Sequence, residues 1–148
     1  MRHFVGVGDL WIVAGQSNSA GYGRGPCEDP PTLGVHLLDN ALRWKLACHP
    51  LNDTTGNVHP ANRERANPGH APWLAFARQV LQATGVPIGL LQTSLGGSPL
   101  AAWEPAKADQ AVLWDVMRQA VATAGGSARG VLWYQGESDA GTVEQASG

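Results

Sequence analysis

Three short clusters of polar and glycine residues, each preceded by an apolar run, hold the side chains of this chain best suited to chemistry. They are Gly15-Gln16-Ser17-Asn18, Ser94-Leu95-Gly96-Gly97-Ser98 and Gln135-Gly136-Glu137-Ser138-Asp139. Together they offer a hydroxyl, carboxamides, carboxylates and glycine N–H groups with no side chain in the way, which are the parts that acyl transfer needs as nucleophile and oxyanion donors. Ser17 stands two residues past a glycine at a strand end, where a sharp turn into a helix exposes a hydroxyl and frees backbone N–H groups. The local pattern is not G-x-S-x-G, so the elbow of the α/β hydrolases is not indicated. Each residue also has a plainer role when taken alone. Ser17 or Asn18 would cap a helix, Gly96-Gly97 would make a turn, Gln135 would bond loop backbone, and Glu137 and Asp139 would favour a helix start.

The elements that must position these clusters are legible in the apolar pattern. Leu10–Ala14, Ile88–Leu91 and Val131–Tyr134 are short continuous runs of the kind that form strands buried on both faces. Trp73, Phe76, Ala77, Val80 and Leu81 recur at helical spacing, with Pro72 at the first turn and Gly85 as the stop. Leu113, Val116, Met117, Ala120, Val121 and Ala124 repeat the pattern ahead of Gly125-Gly126. Strands alternating with helices predict a parallel sheet with right-handed crossovers and helices on both faces. In such a sheet, ligands bind outside the carboxyl ends of the strands, where all three clusters fall. The excursion over residues 21–69 is too long for an ordinary connection. Within it, Val35–Leu38 reads as a strand, Asp39-Asn40 as a turn, and Leu42, Trp44 and Leu46 as the buried face of a second strand.

Composition narrows the function classes. With 43% hydrophobic residues, the 148-residue chain has enough apolar material for one domain with a real core, expected over residues 1–148. The net charge is -2 and the ten Lys and Arg are scattered, so no nucleic-acid partner is expected. No apolar run reaches the ~18 to 20 residues of a membrane helix, and no signal peptide is read, which leaves the compartment open. Cys27 and Cys48 form no C-x-x-C and stand near no paired histidines of zinc spacing, so neither a metal nor a cofactor is indicated. The phosphate-cradling patterns G-x-G-x-x-G and G-x-x-x-x-G-K-[ST] are absent, which disfavours a nucleotide-binding domain.

In their order and surroundings the three clusters resemble the blocks of SGNH hydrolases, in the branch that holds sialate O-acetylesterases and acetylxylan esterases. Val13–Gly21 is similar to the first block, Gly85–Pro99 with Trp103 to the second, and Leu132–Asp139 to the third. The resemblance implies a three-layer, flavodoxin-like α/β fold and a cofactor-free serine esterase that removes O-acetyl groups from carbohydrates of the sialic acid or xylan type. It places the nucleophile at Ser17, a backbone oxyanion donor at Gly97 and a side-chain donor at Gln135. Gly96 remains an alternative to Gly97. Glu137 is a further site candidate, as orienter of a base or of a substrate hydroxyl, and Trp103 is a candidate sugar platform that could equally be a packing residue.

One part of the family pattern is missing. Its members carry an Asp-x-x-His motif that supplies the general base and its partner. This chain has no such motif, and its five histidines, His3, His36, His49, His59 and His70, all precede the second block. The expectation is a domain that stops short of that segment, with its sheet incomplete at the carboxyl end. His59 and His70 are read as solvated loop residues. The isolated chain is then expected to be nearly inactive, and the alternative is an α/β module that binds sugar without chemistry. The sequence does not determine oligomeric state.

Overall fold

Among the described residues, five strands form a single sheet in the order β3-β2-β4-β1-β5, with β1 at Asp9–Gly15, β2 at Val35–Leu38, β3 at Trp44–Leu46, β4 at Ile88–Gln92 and β5 at Gly130–Tyr134. The structure is a computed structural model that describes residues 7–62, 64, 69–106 and 112–141. The pairings of β1 with β4, β1 with β5 and β2 with β4 are parallel. Only β3, which returns after the tight turn at Asp39-Asn40, is antiparallel to its neighbour. The expected parallel α/β sheet is thus present, with one antiparallel edge strand.

Two helices make the outer layers. Helix α2 (Trp73–Thr84) puts Leu74 and Ala77 against Val13, Leu37 and Leu90, and Trp73, Phe76, Val80 and Leu81 pack around them. It ends where predicted, because Gly85 adopts a left-handed conformation and returns its N–H to the Leu81 carbonyl. Helix α3 (Val112–Thr123) covers the opposite face with Leu113, Val116 and Ala120 over Ile12, Ala14, Leu38 and Leu91. Each fully buried aliphatic side chain in these two layers contributes roughly 1.5–3 kcal/mol, so the sheet and its two helices form the rigid frame of the site. No helix among the described residues is long and apolar enough to cross a membrane.

Two expectations need correction. Strand β5 is not buried on both faces: Leu132 is buried, but Val131 is 50% and Trp133 43% exposed. It pairs with β1 on one side and ends the described sheet on the other, so of its apolar side chains only Leu132 joins the buried core, on the α2 face. In β3 the alternation is real, yet Trp44 and Leu46 are the exposed positions, again because the strand lies at an edge. Lys45 points to the other face and pairs with Asp39 at 3.6 Å.

Candidate functional site

The three polar clusters leave β1, β4 and β5 at the same end of the sheet, and hydrogen bonds tie each to the other two. The Leu95 N–H donates to the Gly15 carbonyl at 3.0 Å, and the Gln16 N–H donates to the Tyr134 carbonyl at 3.0 Å. The Gln16 side-chain oxygen accepts from the Ser138 N–H at 2.9 Å, and Asn18 Nδ2 donates to Glu137 Oε1 at 2.5 Å. Gln135 Nε2 donates to the Ser98 carbonyl at 3.3 Å. Asp139 closes the ring by accepting from Gln135 Nε2 and, at 2.9 Å, from the Leu100 N–H.

Gly15 makes this convergence possible. Its φ is +123°, and a Cβ there would stand 2.1 Å from the Tyr134 carbonyl oxygen, so β1 and β5 approach closely only without a side chain. The chain then turns through α1 (Ser17–Ala20), a single helical turn ended by Gly21 in a left-handed conformation. Of the two serines on that turn, Ser19 is fully buried, with its hydroxyl on the Ala14 carbonyl at 2.8 Å and the Ser94 hydroxyl at 2.9 Å. Ser17 is half-buried, and among the described residues its hydroxyl has no hydrogen-bond partner, so it does not act as a helix cap.

The loop after β4 separates its two glycines. The Gly96 N–H donates to Glu64 Oε2 at 2.9 Å, whereas Gly97, at φ +70°, has no acceptor for its N–H among the described residues. Glu64 also accepts from Tyr22 OH and, at 3.2 Å, from Asn52 Nδ2. Burial pushes the Tyr22 phenol up to about 12, and its bond to Glu64 and the carboxylate charge add to the shift. Behind them lie Asn40, Asn52 and Asn62, all fully buried and joined by 2.7 Å amide bonds. The excursion is therefore a braced polar layer against the β4 loop. None of it was indicated by sequence beyond a turn at Asn40.

Other expected residues fall as follows. Trp103 is 5% exposed, packs edge-on to Trp133 with ring centroids 5.4 Å apart, and directs Nε1 at Ser98 Oγ. Its ring is thus largely enclosed in packing. Glu137 and Asp139 lie in a turn rather than at a helix start. His59 is not solvated but 4% exposed, hydrogen-bonded to the Gln119 side chain of α3. Burial lowers its pKa from the ordinary 6.5, and the Gln119 bond opposes the shift only in part. His70 is half-buried, with its backbone bridged to Gly23 and its ring 6.0 Å from that of His49. His49 has a carboxylate partner the sequence did not reveal: its Nε2 lies 3.2 Å from Asp29 Oδ2. Burial lowers the His49 pKa against the pull of that carboxylate. His3 lies outside the described residues.

Known proteins resemble this chain in sequence and in fold. The chain is 31% identical over 160 residues to a probable carbohydrate esterase of Arabidopsis thaliana, covering 93% of this chain and 56% of that protein. It is 31% identical over 190 residues to a sialate O-acetylesterase of Pongo abelii, covering 93% of this chain and 32% of the relative. The chain thus spans about half and about a third of these two curated relatives. The X-ray structure of the Arabidopsis protein superposes with a TM-score of 0.73 at 29% identity, over 93% of this chain and 60% of that one. A carbohydrate acetylesterase from Xanthomonas citri shares the fold, with a TM-score of 0.56 at 22% identity over 91% of this chain and 34% of that one. Residues 7–148 match the family described as carbohydrate esterase, sialic acid-specific acetylesterase, and with three tied loops at the carboxyl end of its sheet the chain belongs to that family.

Proposed function

We propose that the chain carries the nucleophile and oxyanion-binding part of a carbohydrate O-acetylesterase. Ser17 attacks the acetyl carbonyl, the N–H groups of Ser17 and Gly97 and the Gln135 side chain receive the oxyanion, and water releases acetate from the acyl-enzyme. The observation that carries this reading is the convergence of the three loops, which bear a partially exposed Ser17 hydroxyl and a Gly97 N–H, neither with a hydrogen-bond partner among the described residues. The Glu64 bond to Gly96 supports Gly97 as the donor, since the neighbouring N–H is already engaged. Gln135 must exchange its bonds to Ser98 and Asp139 to serve substrate, and Glu137, held by Asn18, orients the first loop. The substrate class is an O-acetylated sugar of the sialic acid or xylan type, by family membership.

No histidine hydrogen-bonds Ser17 among the described residues, which favours a second reading: a sugar-binding module without turnover. An unassisted serine hydroxyl is almost wholly protonated at neutral pH, so hydrolysis of an aryl acetate by this polypeptide is expected to stay near background. Added imidazole, as an exogenous base, is expected to raise acetate release from acetylated sugar, and Ser17→Ala to abolish that increment. An increment that survives Ser17→Ala defeats the esterase assignment. Saturable sugar binding with no imidazole-dependent release establishes the binding module instead.

A further inference from the structure

Outside the three loops, the excursion forms a cleft whose walls include Cys27, Asp29, Cys48, His49 and His70. Donor atoms of three kinds meet there: a Cys27 thiol, an Asp29 carboxylate oxygen and a His49 ring nitrogen all lie within 4.8 Å of one another. We infer that these three residues form a site for a zinc-type divalent cation, with Cys27 Sγ, Asp29 Oδ2 and His49 Nε2 as ligands and a fourth position open to water.

Distance is the first argument. Zinc bonds of ~2.0–2.3 Å in a tetrahedron set ligand atoms roughly 3.3–3.6 Å apart. Asp29 Oδ2 and His49 Nε2 are 3.2 Å apart, a hydrogen-bonded separation that is also close to that spacing. Cys27 is exposed, so its side chain is free to rotate through the remaining ångström or so.

The surroundings of the other two ligands favour a cation as well. Asp29 is nearly buried and engages Arg78 of α2 through Oδ1, which fixes the carboxylate and leaves Oδ2 turned toward His49. Such outer partners commonly orient metal ligands. His49 Nδ1 is buried without a hydrogen-bond partner among the described residues, so the Nε2 edge is the polar outlet of the ring. Nε2 and Asp29 Oδ2 already share a hydrogen bond, and a cation bound there would take the place of the shared proton.

Thiolate with imidazole selects zinc over magnesium or calcium, which take oxygen donors. Binding breaks the Cys27 S–H bond, forms a metal–sulfur bond and releases the proton to solvent, with no change of oxidation state. The ion would clip two distant parts of the excursion together and, through Arg78, anchor them to α2. The donors escaped sequence inspection because Cys27 and Asp29 lie about 20 positions from His49 with no repeated spacing.

The test uses the full 148-residue chain, reduced and stripped of metal, titrated with Zn(II) by calorimetry and with Co(II) by absorption. One equivalent is expected to bind, with a thiolate-to-cobalt charge-transfer band. Cys27→Ser, at an exposed position, is expected to remove the band and weaken Zn(II) binding at least about tenfold, while Cys48→Ser keeps both. Absence of stoichiometric binding, a band that follows Cys48 rather than Cys27, or a protein that has no free thiol when prepared without reductant overturns the assignment. The readout is metal binding, so its failure is separate from any failure of the esterase reading.

Discussion

At the scale of single residues, the site depends on two glycines with opposite demands. A methyl group on Gly15 would meet the Tyr134 carbonyl oxygen at 2.1 Å and impose a positive φ on a side-chain-bearing residue, whereas a methyl on Gly97 would meet nothing within 4 Å. Strain of this kind costs about 1–3 kcal/mol, and a backbone clash adds to it. Gly15→Ala is therefore expected to cost at least about 4 kcal/mol in urea denaturation or to prevent folding. Gly97→Ala should cost only about 1–2 kcal/mol, the ordinary penalty of a left-handed conformation. Equal losses in the two variants would refute the close approach of β1 and β5 at Gly15. Ser17 and Ser19 show a similar contrast. Both stand in one polar cluster of the sequence, and burial alone separates the structural hydroxyl from the available one.

At the scale of elements, the frame was legible and the braces were not. The runs at Leu10, Ile88 and Val131 and the stripes at Trp73 and Leu113 each became the expected strand or helix, because an interior strand writes a continuous apolar run and a one-sided helix writes a period into the sequence. The Asn40, Asn52, Asn62 and Glu64 layer writes no period. Its partners are up to 42 positions apart and of residue types that also fill exposed loops. His59 was misread for the same reason, since the excursion looked solvated until α3 was placed over it. Its burial carries a pH dependence. With the folded-state pKa held below the ordinary 6.5, the unfolded chain takes up a proton that the folded chain refuses. Stability is then full above about 6.5 and falls as pH drops toward and through the lowered folded value, by at most about 1.4 kcal/mol per pH unit for one such group. His49 is shifted in the same direction and adds to the slope. His59→Gln should flatten the stability profile between about pH 7 and pH 5 by the share of one group. A profile unchanged by that substitution would count against a neutral buried imidazole.

At the scale of the whole molecule, the two ends of the sheet differ in how they meet solvent. The β3 edge carries Lys45 in its middle, a charge that discourages strand pairing. The β5 edge presents Val131, Trp133 and Tyr134 at 43% to 50% exposure with no charge among them. Concentration-dependent association through that edge is expected in light scattering, and Val131→Lys should reduce it without loss of fold. Association unaffected by the lysine would place the contact elsewhere. The Glu64 bond to Gly96 reaches further than local geometry. It makes a lineage or a designer treat residues 21–69 and the β4 loop as one heritable unit. Shortening the excursion past Glu64, or grafting the glycine loop into another scaffold without it, removes the acceptor that holds the Gly96 N–H and with it a tether on the loop that carries Gly97. Substitution is consequently expected to cost least at the exposed rim of the excursion and most along the buried asparagine seam.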